Sequence, residues 1–211
     1  MIKIIIYIFL FIYNLFGNEH HYPDVWNELQ NNEGWRLIKE TSRVKIFSKD
    51  ISVSPFPCYR AEIISSLSMS NILTVAWDVE KSTEVFPNAY IVDAGIYHKR
   101  GSDSYSAYQL FDIPFMSPRL YQFNSIMLHN KIHWIRTDTL SQIYNPHNLL
   151  TPPVNFGSWQ VEKYGEKTKL TYSICTNPGG SVPSWIVELA NQRYLPQMLL
   201  DLETYAIINS K

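Results

Sequence analysis

The side chains of this sequence that could do chemistry are few and scattered. Its two cysteines, Cys58 and Cys175, each lie in a strand-like run. Cys58 alternates with Arg60 and Glu62, and Cys175 with Lys169, Thr171 and Ser173, so both read as pointing to a polar outer face. The six histidines do not cluster. His129 and His133 flank a turn, but no Asp or Glu at ligand spacing completes a metal site. Cleavage after Gly17 would leave Asn18-Glu19-His20 as a new terminus, whose amine and third-position imidazole could hold Cu(II) or Ni(II) in a square plane of nitrogens. We read this as a minor feature of a free end. On central strands, Arg136, Asp138, Asp93 and His133 are the candidates for acid–base work, and outward salt-bridged positions account for them equally well. No G-x-S-x-G, phosphate loop, H-E-x-x-H or Ser/His/Asp order is present. The expectation is no catalytic residue, no metal, no cofactor and no enzyme.

The elements that carry these residues begin after an unusual start. Met1-Ile2-Lys3 precedes Ile4 to Phe16, a run of 13 residues that is apolar apart from Asn14 and two tyrosines. One cation before so short an apolar run reads as a secretory signal peptide over residues 1–17. As a helix it would reach about 20 Å, against a hydrocarbon core of about 30 Å. An uncleaved, tilted anchor remains the alternative. Either way the folded part, residues 18–211, is expected outside the cytosol, exported and periplasmic. The formal net charge of −1 provides no basic field for nucleic acid. Tyrosine alone supplies 14 residues and aromatics 14% of the chain, which calls for a large apolar interior or a large apolar ligand.

The pattern then reads helix, three strands, helix, six strands, long helix. A short helix covers Pro23–Asn31, followed by strands Trp35–Lys39, Val44–Ser48 and Tyr59–Ser65. Ser70 reads as an N-cap, opening a helix that Pro87 ends. Strands follow at Tyr90–Tyr97, Tyr105–Asp112, Arg119–His129, Ile132–Leu140, Ser158–Tyr164 and Lys169–Thr176. Between them Ser141–Gly157 is a long Pro- and Asn-rich connection, a length that usually marks either function or disorder. The Asn177-Pro178-Gly179-Gly180 turn permits a reversal that side chains would forbid, and Pro183 is pre-set for the first turn of the last helix, which runs to about Ile208. The fold class is α+β, with a large antiparallel sheet that must bury one face under helices.

Two segments carry a resemblance. "GSWQVEKYGEKTKLTYSICTNPGGSVPSWIVELAN" resembles the closing strand pair, Gly-Gly turn and C-terminal helix of START (steroidogenic acute regulatory-related lipid-transfer) domains. "PFMSPRLYQF" is similar to that family's P-R-D-[FY] segment, with Leu120 standing where Asp is usual. The element order matches over roughly residues 22 to 208. The resemblance implies a helix-grip fold, a curved sheet of about nine strands wrapped around the last helix, with an apolar tunnel that holds one lipid. It implies no metal and no covalent chemistry. It also makes the strands of Cys58 and Cys175 antiparallel neighbours, so that a disulfide is expected there, two unpaired thiols being the alternative.

Alternation assigns the tunnel wall. The inward set is read as Ser106, Tyr108 and Leu110 on one strand and Tyr121, Phe123, Ser125 and Met127 on another. Ile186, Ala190, Tyr194, Met198 and Leu202, four residues apart, form the floor. The resemblance places Ser106 and Ser125 where some relatives hold a buried acid–base pair. A neutral pair can hydrogen-bond a hydroxyl or carbonyl but cannot neutralise a phosphate, which favours a sterol, hopanoid, fatty acid or acylglycerol. Pro114, Pro118, Pro153, Gly179 and Gly180 are the expected gate, and Pro196 is expected to kink the helix. The partners expected are a lipid and, transiently, a membrane, with the protein a monomer. A cyclase- or aromatase-like enzyme on a related scaffold, and a lipid sensor without transfer, are the rival readings.

Overall fold

The computed structural model describes residues 22–114, 116–137, 145 and 147–209. The segment read as a signal peptide, Asn18-Glu19-His20, Asp138 and the first part of the long connection lie outside the described residues. The chain divides into two compact units, residues 1–31 and 32–211. In the first, α1 (Tyr22–Gln30) is a nine-residue helix.

The second unit is built on nine strands: β1 (Arg36–Glu40), β2 (Lys45–Lys49), β3 (Cys58–Ser65), β4 (Ile91–Lys99), β5 (Ser104–Phe111), β6 (Arg119–Leu128), β7 (Lys131–Arg136), β8 (Val154–Tyr164) and β9 (Lys167–Asn177). They form one sheet in the order β1-β2-β3-β9-β8-β7-β6-β5-β4, antiparallel at every junction. The N-terminal strands β1–β3 thus join the rest of the sheet through the β3–β9 pairing.

The helix after β3 differs from the sequence expectation. It is α2 (Met69–Trp77), capped by Ser68, whose Oγ accepts from Asn71 N. Ser70 cannot cap because it already lies inside the first turn, its Oγ 3.0 Å from that of Ser68. The helix stops at Trp77, where Asp78 turns out of helical geometry (ψ 78°). A 3-10 turn at Val79–Lys81 and the one-turn α3 (Ser82–Val85) follow. β8 starts at Val154, earlier than the sequence suggested, so Gly157 is a strand residue. A Cβ there would lie 2.3 Å from both Ser173 O and Trp134 Cζ2, so only glycine lets the Trp134 ring cross the strand.

The last helix, α4 (Ser184–Asn209), packs on the concave face with Leu195, Leu199, Leu202 and Ala206 buried. Pro196 lies inside it and lacks an N–H, so the carbonyl of Gln192, four residues back, loses its helical donor. Lys39 Nζ of β1 supplies a donor instead at 3.0 Å. Arg43 pairs with Glu203, while on the other flank Asn88 Nδ2 donates to Asp201 and Tyr205 Oη to Glu84. The helix is therefore stitched to the rest of the unit along both sides.

Candidate functional site

Which face of each strand looks at α4 follows from the register, because directly opposed residues share a face. Ser125 opposes Tyr105, Phe123 opposes Ala107, and Tyr121 opposes Gln109. Across the sheet the same face carries Ile132 and Trp134, Trp159 and Val161, Leu170 and Tyr172, and Ala61 and Ile63, all in one buried cluster with Leu195, Leu199 and Leu202. Tyr121, Phe123, Ser125 and Met127 stand on this concave face. Ser106, Tyr108 and Leu110 do not. Ser106 opposes Asn124 on the convex face and donates to its Oδ1 at 2.7 Å. Tyr108 stacks on Tyr97 and donates to Asp93 Oδ2, in space that Gly95 leaves by having no Cβ. The assignment fails on β5 because both of its faces are partly apolar, Tyr105, Ala107 and Phe111 on one and Tyr108 and Leu110 on the other. Ser106 therefore cannot pair with Ser125.

The floor of the site shifts in the same way. Val187, Leu195, Leu199, Leu202 and Ala206 are the buried apolar residues of α4. Of the expected stripe, Leu202 is fully buried and Met198 packs against the core. Ile186 and Ala190 are only half-buried. Tyr194 lies at the flank, its ring edge-on to Tyr90 and the two hydroxyls 3.3 Å apart. Tyr90 holds a left-handed backbone (φ 59°) just before β4.

The concave wall is a contiguous aromatic surface. Tyr172 lies between Trp134 and Trp159, with ring centroids 5.4 and 4.2 Å away, Phe86 stacks on Trp159, Trp77 meets Tyr105, and Phe111 meets Tyr121. Sequence reasoning missed Trp134, Trp159 and Tyr172, although each alternates with an aliphatic residue on its own strand. The polar atoms of this wall are hydroxyls. Tyr105 Oη donates to Trp77 O at the end of α2, and Thr176 Oγ1 donates to Val154 O. Burial pushes the phenols of Tyr105, Tyr121 and Tyr172 well above their ordinary range, so they are neutral hydrogen-bonding groups here.

The three described acid–base candidates, Asp93, His133 and Arg136, do not converge. Asp93 is bonded to Tyr108 on the convex face. His133 opposes Ile126 and Ser158 on that same face, and burial, aided by Lys131, lowers its pKa to about 4. Arg136, on the concave side, donates to Pro153 O. Among the described residues no group of three or more His, Cys, Asp and Glu is placed to hold a metal ion. Cys58 and Cys175 are joined by a disulfide. Both share the convex face with Arg60 and Ser173, as alternation indicated, but are fully buried there. The convex side of β3 is covered, with Trp35 over the Arg60 guanidinium at 4.3 Å and Asn32 accepting from it.

At one end of the concave wall three of the expected gate residues, Pro153, Gly179 and Gly180, gather around Leu150. Gly179 and Gly180 both have left-handed backbones (φ 71° and 69°). A Cβ on Gly179 would press on Leu150 and Pro153 at 2.9 and 3.1 Å. Leu150 in turn bridges to Arg119 and accepts from Leu120 N. Beside it a small cleft of about 10 Å³ lies where β6 and β7 part, lined by Tyr121, Gln122, Arg136, Thr137 and Asn155 among others.

No protein-family model matches the sequence. An uncharacterized protein of Pseudomonas aeruginosa is 23% identical over 164 residues, 73% of this chain and 77% of that one. Among solved structures, the STAR-related lipid transfer protein of Xanthomonas axonopodis superposes with a TM-score of 0.70 at 18% identity, over 82% of this chain and 99% of that one. Human STARD10 gives 0.76 at 13% identity, over 92% and 81%. The Zhui aromatase/cyclase of Streptomyces gives 0.56 at 12% identity, over 73% and 95%. The nine-stranded antiparallel sheet gripping a long C-terminal helix is the helix-grip fold of the START, or STAR-related lipid transfer, domain.

Proposed function

We propose that this protein binds a single weakly polar lipid between its sheet and α4 and carries it between membranes. The observation that carries the reading is the aromatic concave wall facing a helix that is firmly packed only over its second half. Such a wall offers a long apolar ligand a continuous surface, and its neutral hydroxyls on Tyr105, Ser125, Tyr121 and Tyr172 suit a hydroxyl or carbonyl head. A lipid burying about 400 Å² of apolar surface gains about 10 kcal/mol before ordering costs, enough for micromolar affinity without an ionic contact. The START fold and the lipid-transfer names of its structural neighbours support this reading over the aromatase/cyclase one. So does the scatter of Asp93, His133 and Arg136 over two faces, where a catalytic site needs its groups together.

Transfer requires contact with a membrane. Trp185 and Leu189, four apart on α4 and 64% and 59% exposed, give the start of the helix an apolar outer face beside the gate, suited to a bilayer interface. Export to the periplasm is the compartment we infer from the Ile4–Phe16 run, and the buried disulfide supports an oxidising location. Native mass spectrometry of protein purified from a lipid-rich source tests the central claim. One co-purifying lipid in equal stoichiometry is expected. Protein that is empty and fails to take up sterols, fatty acids or acylglycerols refutes it.

A further inference from the structure

Arg119 is a buried cation that no salt bridge neutralises. It begins β6 on the concave side and is 4% exposed, and no Asp or Glu pairs with it among the described residues. Its guanidinium is held by backbone carbonyls from two separate segments. Nη1 donates to Ser117 O in the turn that precedes β6. Nε donates to Pro178 O at 3.1 Å and Nη2 to Gly179 O at 3.4 Å, both in the turn that launches α4. A third segment is tied to the same residue through its backbone, since Arg119 bridges to Leu150 and Leu120 N donates to Leu150 O at 2.9 Å. Burying a guanidinium without a carboxylate is costly unless its hydrogen bonds are well met, so this arrangement makes the three segments depend on one another.

We propose that Arg119 is the latch of the lipid path: its guanidinium ties the Ser117 turn to the Gly179-Gly180 turn, while its backbone holds the Leu150 segment against both. The packing of α4 shows which part the latch restrains. From Ser184 to Tyr194 only Val187 is buried, whereas Leu195, Leu199, Leu202, Glu203 and Ala206 are buried beyond it. The front half of the helix is thus secured mainly at its ends, by the Arg119 cluster before it and by Lys39 on Gln192 O behind it. Releasing the guanidinium frees two carbonyls of the Gly-Gly turn at once, where both glycines can rotate without a side chain to hinder them.

The latch's role in ligand passage rests on the carrier reading above, so its test has one readout without ligand and one with. In amide hydrogen exchange, Arg119→Met is expected to accelerate opening around Ser117, Leu150 and Gly179 together by about tenfold or more, from the loss of charge-assisted hydrogen bonds, while β8 and β9 keep their protection. Arg119→Lys, which keeps the charge but loses the fork, is expected to lie between, and serves as the primary variant if Arg119→Met does not fold. With dehydroergosterol or cis-parinaric acid as fluorescent probe, dissociation is expected to quicken by a similar factor. Acceleration confined to the Ser117 turn, or spread evenly over the whole sheet, overturns the latch. So does coupled opening with an unchanged probe off-rate. A parent protein that binds neither probe counts against the carrier reading instead, and the exchange data then decide the three-way coupling alone.

Discussion

Removing the disulfide tests how much of this fold depends on an oxidising environment. The bond spans 117 residues of sequence and joins β3 to β9, the junction between the three N-terminal strands and the rest of the sheet. For a loop of that length, chain entropy lost from the unfolded state corresponds to about 4.7–5 kcal/mol at 25 °C. Both cysteines are 0% exposed, so the Cys58→Ala/Cys175→Ala variant adds a small packing loss without burying new polar atoms. A domain of this size has a total stability of about 5–15 kcal/mol, so the variant should lose between a third and nearly all of it. The melting temperature should fall by about 10–20 °C. Urea denaturation with matched m-values, alongside calorimetry of the parent with and without reductant, measures this. A loss under about 1 kcal/mol in both the variant and the reduced parent would refute the reasoning. It would mean that register and packing alone hold β3 to β9, and the disulfide would cease to support an extracytosolic location.

Three further expectations follow from single residues. His133 is neutral in the fold, with its pKa lowered to about 4 by burial, while the unfolded chain takes up a proton near pH 6.5. The unfolded state therefore binds more protons between those values, and stability should fall as pH drops from about 6.5 to 4, by about 2 kcal/mol in all; His133→Gln should flatten that limb of a pH–stability profile, and an unchanged slope rules the histidine out. Gly157→Ala forces a methyl against Ser173 O and the Trp134 ring, so it should cost about 1–3 kcal/mol in denaturation and alter tryptophan emission; a variant as stable as the parent contradicts the crossing of ring and strand. Replacing both Trp185 and Leu189 by Glu should slow vesicle-to-vesicle lipid transfer at least about tenfold while leaving ligand affinity within about twofold, since both side chains face solvent; an equal loss of binding would place them in the site instead.

The architecture was legible because its signals are local and repeated. Alternation marked the strands, and Pro183 after two glycines marked the start of the last helix. Faces were legible only where one of them is polar. On β5 and α4 they are not, since Tyr105, Ala107 and Phe111 compete with Tyr108 and Leu110, and α4 carries apolar runs such as Ile186-Val187 and Met198-Leu199-Leu200. In such stretches the choice is made by the neighbouring element. Tyr105 rather than Ser106 faces inward because it is Tyr105 that opposes Ser125, and a shift of one residue exchanges every side chain between faces. Gly157 was read as a loop residue for a related reason: a glycine that admits an aromatic ring looks, in sequence, like a glycine that turns the chain. Arg119 stood in a motif whose following residue, Leu120, drew attention to a missing charge, while the contacts of Arg119 itself lie 59 and 60 residues away in sequence.

Pro196 shows how a local rule and the tertiary structure are reconciled. An interior proline removes one helical hydrogen bond and crowds the turn before it, at a cost of about 3 kcal/mol, yet the helix continues unbroken from Ser184 to Asn209. Two features offset that cost. The orphaned carbonyl of Gln192 receives Lys39 Nζ, and the turns that follow are anchored by Leu199, Leu202 and Ala206, which are 0%, 0% and 2% exposed. The proline thus stands at the boundary between a half of α4 that is packed into the sheet and a half that is not. If the helix bends as the latch proposal requires, this boundary is where bending is expected, because a missing backbone bond and a change of packing coincide there. An ordinary residue such as Ala at 196 would restore the helical bond and make the Lys39 contact redundant; on the latch proposal it is expected to slow release of the bound probe, and an unchanged off-rate counts against a hinge at this position.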